Sequence, residues 1–360
     1  METSLFLQWV AKYLPGITIR IVETLNGTNN PLTYLHRSML REDLSVTGKW
    51  EAINTANTAI MADVVAMDSS LPLKKRDSIS KANGDIPKLG MKLQLNERQL
   101  TDLDTLVATG ASDQQIVAKL FADTPKVITG VYERCEEMFL RGLSTGVTLI
   151  EDTENVGTGI RIDYGYASAN KFGVAVLWSS ASTATPFDDI QRILDKASAD
   201  GNTITVCMLD RSAFNNLVNT TQAKQLFAFS QSFVGSAIPA PSLSQMNSFV
   251  SDRYGFTFQI VERSVRYEKN GTQTAVKPWA TGAAVFLTST QVGTLVYAKL
   301  AEEGHPVTNV TYQKAGNFIL VSKYRKNDPL AEFTSSQARV VPVISNVDQI
   351  YLLDSTTVQS

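Results

Sequence analysis

The sequence is poor in the side chains that most enzymes rely on. Its 360 residues include two histidines, His36 and His305, and two cysteines, Cys135 and Cys207. A metal centre built on paired histidines or clustered cysteines is therefore excluded. The cysteines stand far apart, one on a helical apolar stripe and one inside a strand pattern. Both read as small core hydrophobes in a chain suited to a reducing compartment. There is no Cys-x-x-Cys, no Gly-x-x-x-x-Gly-Lys-Ser/Thr phosphate loop, no Gly-x-Gly-x-x-Gly after a strand and no Gly-x-Ser-x-Gly elbow. An excess of charge is also lacking. Lys plus Arg number 33 against 35 Asp plus Glu, for a net charge of -2, which argues against a protein whose main work is gripping phosphate backbones. No run approaches the roughly 20 apolar residues of a membrane span. The N-terminal METSLFLQWVAKYLPG is amphipathic, broken by Gln8 and Lys12, and lacks the pattern of a signal peptide. The expectation is a soluble chain with no membrane partner, no cofactor and no metal.

Two weaker chemical signals remain. Ser78-Ile79-Ser80-Lys81 fits Ser-x-x-Lys, but the companion Ser-Asp-Asn and Lys-Thr-Gly motifs are absent and the match falls on a basic loop. A Ser–Lys hydrolase using Ser78 and Lys81 stays open as the alternative of a different class. The acidic pairs Asp188-Asp189 and Glu136-Glu137 are adjacent on helix patterns, point in different directions and read as solvated faces. No catalytic residue is assigned.

What is present is a long basic segment. LKKRDSISKANGDIPKLGMKLQLN (Leu73 to Asn96) carries Lys74, Lys75, Arg76, Lys81, Lys88 and Lys92 against Asp77 and Asp85. Asn83-Gly84 is a turn signal, and Leu89, Met91, Leu93 and Leu95 alternate with Gly90, Lys92 and Gln94 at strand period. With the strand-like IMADVVAM from Ile60, this predicts a two-stranded extension reaching about 35–40 Å, which is marginal unless it lies on something. Residues 1–58 read as an arm, with a helix near 3–13 and a strand at 17–23. The longest helical signal runs from Ser112, in a capping box with Gln115, to about Gly142, with a restart or kink at Pro125. Its apolar stripe is Val127, Ile128, Val131, Cys135, Met138, Phe139 and Leu143.

Strands follow at 147–151, 158–164 and 172–178, the first two around a Gly157-Thr158-Gly159 turn. A helix from Pro186 stops at Gly201, a strand spans 203–209, and Asp210 caps a short helix. Residues 219–250 predict a loop with short helices. Further strands are expected at 256–263, 264–268, 283–288, 318–324, 338–344 and 349–353. Helices and strands mix without a βαβ alternation, so the class is α+β.

The order of these parts resembles the major capsid proteins of tailed bacteriophages of the lambda type, the protein E family. The resemblance rests on LKKRDSISKANGDIPKLGMKL, EEMFLRGLSTGVTLIED, VRYEKNGTQTAVKPWATGAAVFLTSTQVGTL and KNDPLAEFTSSQARVVPVISNVDQIYLL, in that order. It implies the tailed-phage capsid fold. An N-terminal arm would cover 1–58, and an extended loop, 59–96, would carry Asn83-Gly84 near its tip. A peripheral domain would cover 97–200 with a spine helix at 112–143, an axial domain 201–334, and a return to the peripheral domain 335–360. The implied function is self-assembly into hexamers and pentamers of an icosahedral shell around phage DNA, put together in the host cytoplasm. Lys74, Lys75, Arg76, Lys81, Asn83, Gly84 and Lys88 would touch the neighbouring subunit. Scaffolding, portal and decoration proteins, and non-specifically held double-stranded DNA, are the implied partners. An encapsulin-like compartment of the same fold is the near alternative.

Overall fold

Helix α1 (Leu7–Thr24) runs through the segment whose ITIRIVE pattern predicts a strand. The β-branched residues there disfavour a helix by only tenths of a kcal/mol each. Val10, Leu14 and Thr18, spaced four apart, are buried on one face. That face packs against the strand Thr311–Ala315, and the packing overrides local propensity. Tyr13 Oη, Lys12 Nζ and Trp9 Nε1 all donate to the Asp113 carboxylate, at 2.6, 3.2 and 3.4 Å. The Tyr13 hydroxyl, followed by Lys12 and Trp9, holds that carboxyl below its usual range.

The computed structural model describes residues 1–27, 33–54, 80–151, 159–230, 232 and 238–359. The chain divides into two compact units. One comprises Met1–Trp50, Asn83–Glu137 and Thr294–Val343; the other comprises Glu51–Ala82, Met138–Gly293 and Ile344–Ser360. In chain order after α1 come α2 (Leu35–Met39), β1 (Leu40–Leu44), β2 (Lys49–Asn54), β3 (Ser80–Asp85), β4 (Lys88–Asn96), α3 (Glu97–Ala108), α4 (Asp113–Leu120) and α5 (Thr124–Thr145). The long helical signal is thus two helices. They are divided at 121–123, just before Pro125, and the second opens with that proline in its first turn, where no N–H is missed. The Ser112–Gln115 capping box is present at the start of α4. Every residue of the expected α5 stripe is buried.

The first unit is completed by β13 (Gly293–Ala298), α10 (Ala301–Gly304), β14 (Thr311–Ala315), β15 (Ile319–Asn327) and β16 (Leu330–Ile344). Its sheet has the order β1-β13-β16-β15-β14, and β4 also pairs with β16, from Asn96↔Ala331 to Lys88↔Arg339. LGMKLQL is therefore a strand of the main sheet and not half of an extension. Helix α5 lies on this sheet: Ser336 Oγ donates to Val127 O at 2.6 Å. A side chain at Gly130 would collide with the Met91 sulfur.

Lys323, on β15, is fully buried. Its ammonium donates to Leu120 O (3.1 Å), at the C-terminal end of α4 where a cation is favoured, and to Thr334 Oγ1 (3.0 Å). Burial lowers its pKa to about 8, with Glu332 and Asp123 opposing the shift. Below pH 8 both folded and unfolded chains carry the proton, and the cost of burying the charge is present in full. Between pH 8 and about 10.5 only the unfolded chain keeps it, so stability from this group rises with pH. The stability of wild type relative to Lys323→Met should increase by on the order of 3 kcal/mol from pH 7.5 to 10.5, read from urea unfolding of both proteins. A difference independent of pH would show that the ammonium is not desolvated.

The second unit holds β5 (Val147–Ile150), β6 (Ile160–Asp163), β7 (Lys171–Val174), α6 (Pro186–Ala199), β8 (Val206–Leu209), α7 (Arg211–Asn219), α8 (Thr221–Ser230), α9 (Leu243–Tyr254), β9 (Thr257–Ile260), β10 (Val265–Lys269), β11 (Thr272–Val276), β12 (Ala283–Leu287) and β17 (Ile350–Val358). Its main sheet has the order β7-β17-β12-β8-β9. Trp178, Ile190, Cys207, Phe214, Phe256, Phe286 and Tyr351 share one core against it. Asp210 caps α7 as its position predicts, accepting from Ser212 N.

The compact units cut the chain differently from the expected contiguous domains. Residues 294–334, expected with 201–293, give strands to the first unit's sheet. Residues 138–200, expected with 97–137, belong to the second unit. The C-terminal return is split too: most of β16 stays with the first unit, while β17 pairs with β12 and β7. Strand partners far apart in sequence decide these memberships, and no local pattern encodes them.

Candidate assembly surface

The basic segment springs from a braced root. β2 pairs with β3 in a two-stranded sheet. Just before it, Gly48 turns with φ +72°, a conformation that L side chains rarely adopt. Its carbonyl accepts from Ile86 N (3.1 Å) and Arg339 Nη2 (3.2 Å). Trp50 and Ile86 are buried. At Gly84 a Cβ would stand 2.9 Å from the Trp50 indole nitrogen, so glycine is there to admit the ring.

Asn83-Gly84 therefore closes no turn and marks no tip. It lies inside β3, next to the main sheet, with Asn83 exposed and Gly84 half-buried. Lys81 belongs to the same strand, and its side chain lies outside the described residues. Lys88 is exposed at the start of β4, opposite Arg339. Lys74, Lys75, Arg76 and the expected strand from Ile60 all lie outside the described residues, as does Ser78. The structure thus brings Asn83, Gly84 and Lys88 to one root and leaves the charges of the run itself undescribed.

Sequence reasoning missed the dock for the N-terminal arm. Glu136, expected on a solvated face, is 1% exposed. Its Oε1 accepts from Leu35 N (2.9 Å); its Oε2 accepts from His36 N (3.0 Å) and lies 2.6 Å from His36 Nδ1. Tyr34 Oη donates to Glu133 at 3.1 Å, and the Tyr34 and His36 rings lie against Tyr132. Glu137 is buried as well, on Arg134. Asp189, also expected in solvent, is 1% exposed and accepts from Ala175 N, Trp178 Nε1 and Arg192 Nη2 at 2.9–3.1 Å. Asp188 is exposed as expected. The available signals were the i,i+3 pairs Arg134–Glu137 and Asp189–Arg192; nothing local pointed to His36.

The buried carboxylates Glu136, Glu137 and Asp189 each accept from donors of this chain. Among the described residues no three His, Cys, Asp or Glu side chains gather as a metal site, and no helix is long and apolar enough to cross a membrane. Cys135 and Cys207 are buried and free, and burial pushes both thiols upward in pKa, so neither is poised as a thiolate.

A family model described as phage major capsid protein E matches residues 20–353. No curated protein matches the sequence. Among solved structures, one assigned as the capsid protein of a prophage in E. coli CFT073 aligns with a TM-score of 0.56 at 13% identity, covering 94% of this chain and 98% of that one. A phage-related protein from Bordetella bronchiseptica RB50 aligns with a TM-score of 0.52 at 10% identity, covering 96% and 98%. At such identities these two likenesses speak for the fold.

Proposed function

The chain belongs to the phage major capsid protein E family, and from that premise we propose that its copies assemble as hexamers and pentamers into the icosahedral shell enclosing phage double-stranded DNA. The observation that carries this reading is the family match, which spans both compact units. A near-neutral chain fits a wall that confines DNA without gripping it. Scaffolding, portal and decoration proteins would be the further partners, assembly would occur in the host cytoplasm, and no catalytic role is assigned.

In this reading the first unit, with α5 as its spine, is the peripheral domain, and the second supplies the axial contacts. The segment between β2 and β3 reaches a neighbouring subunit, with Lys74, Lys75 and Arg76 as its contact charges and Lys81, Asn83, Gly84 and Lys88 at its base. Exposed acids such as Asp102 and Asp104 on α3 are of the sign such a run would meet. Charge pairing of this kind sets register and association rate more than affinity.

Reversing Lys74, Lys75 and Arg76 to Glu tests the contact. Each exposed pair is worth about 1 kcal/mol or less, but a symmetric shell repeats the penalty at every copy. Particle yield by sedimentation should fall several-fold at about 0.1 M salt and recover partly at about 1 M, where the Debye length drops from ~10 to ~3 Å. Equal yields of wild type and variant at every salt concentration would leave the run as a solvated loop.

A further inference from the structure

The methionines of the core are closed to solvent, and one methionine of the first unit is not. Met138, Met208 and Met246 are fully buried and Met39 nearly so, whereas Met91 is 37% exposed. Met91 stands on β4, whose ladder partner among the described residues is β16. It lies directly opposite Ser336, whose hydroxyl donates to Val127 O of α5. Cross-strand partners share a face of the sheet, so the Met91 side chain lies on the face that α5 covers.

The contact it makes there is close. A Cβ placed on Gly130 of α5 would overlap the Met91 sulfur and stand 3.6 and 3.7 Å from its Cγ and Cε. The thioether is therefore set into the notch that a glycine leaves in the helix. Glycine inside a helix is unfavourable relative to alanine, and the sulfur gives this one a purpose. Val127 and Val131 beside it are buried, so one side of Met91 meets the core while the other meets water.

A thioether in that position is open to oxidation. Its lone pair attacks one oxygen of hydrogen peroxide; an S–O bond forms, the O–O bond breaks, the sulfur loses two electrons and water leaves. The product puts a polar oxygen on a group that was packed as a soft hydrophobe. The N–H groups of α5 around Gly130 are committed to the helix's own ladder, so the helix offers the new oxygen no donor. To hydrate it, the side chain must leave the notch, and β4 loses a tie to α5. The same strand follows Pro87, whose carbonyl accepts from Val340 N at 3.3 Å, and so carries the loosening toward the root at Ile86.

We propose that Met91 is an oxidation site whose sulfoxide frees β4 from α5 until the sulfur is reduced again. The inference stands on the first unit alone and is independent of the shell-forming reading.

The test treats the full chain with dilute hydrogen peroxide, maps sulfoxide by peptide mass and measures urea unfolding on the same samples. Met91 should react several-fold faster than Met39, Met138, Met208 and Met246. The unfolding constant should rise on the order of tenfold as Met91 is converted, and return after treatment with the two methionine sulfoxide reductases. Met91→Leu keeps every other methionine, so it controls for sulfoxide at Met1, Met61 and Met67; its unfolding should be unchanged by peroxide. A double-variant cycle checks the contact itself. Gly130→Ala should lower the urea midpoint of wild type and raise that of Met91→Ala. Met91 reacting as slowly as the buried four, full conversion with no change in unfolding, or an equal loss in Met91→Leu would overturn the proposal. So would equal effects of Gly130→Ala in the two backgrounds.

Discussion

Replacing residues 56–79 with a Gly-Ser linker of equal length should abolish particle formation while leaving the folded chain close to wild-type stability. The substitution spares the root. Gly48, Trp50, Gly84 and Ile86 stay in place, together with the bonds from Ile86 N and Arg339 to the Gly48 carbonyl. Equal length keeps the closure entropy of the segment nearly constant, so urea unfolding should shift by about 0.5 kcal/mol or less. Assembly loses the basic run and should fail outright in sedimentation. The boundaries matter. An excision extended through Lys88 would remove buried Ile86 and the glycine that admits Trp50, at a cost of roughly 2–5 kcal/mol for the isoleucine alone. A chain that unfolds on replacement of 56–79 would show that this segment belongs to the core of its own subunit.

Glu136→Leu should be among the most destabilising single substitutions in the first unit. The carboxylate accepts from two backbone N–H groups and faces the His36 ring from 2.6 Å, with both side chains sealed from water. Leucine fits the volume but leaves those donors buried without a partner, each costing about 1–3 kcal/mol. A total loss of roughly 3–5 kcal/mol is expected, the range for breaking a buried polar pair, against about 0.5 kcal/mol or less for Glu97→Leu on the exposed face of α3. Because Leu35 and His36 hang on this carboxylate, the N-terminal region should also become sensitive to protease. A loss below about 1 kcal/mol with no new cleavage would mean that the arm is held by other contacts.

What local chemistry specifies could be read from the sequence. The Ser112–Gln115 capping box, the restart at Pro125, the α5 stripe and the Asp210 cap all stand where the residue pattern predicts them. The resemblance to the protein E family is matched by the family model over residues 20–353. What long-range packing decides could not be read. ITIRIVE looks like a strand until Val10, Leu14 and Thr18 find a sheet to lie on. Asn83-Gly84 carries a turn signature, yet its glycine answers to Trp50, far away in sequence. LGMKLQL alternates as a strand should, but alternation cannot say that its partner is β16. Glu136 differs from a solvated glutamate through Leu35 and His36, a hundred residues distant. For the assembly surface, the basic run is plain in the sequence, and its root was visible only once β2, β3 and Arg339 had been brought together.

The most direct test of the central claim is negative-stain electron microscopy of the concentrated protein, alone and co-produced with the scaffolding partner proposed for it. Closed shells or rings of uniform diameter, built from this chain, are predicted in at least one of the two samples. A field of monomer-sized particles in both, at concentrations where phage heads form, would contradict the account.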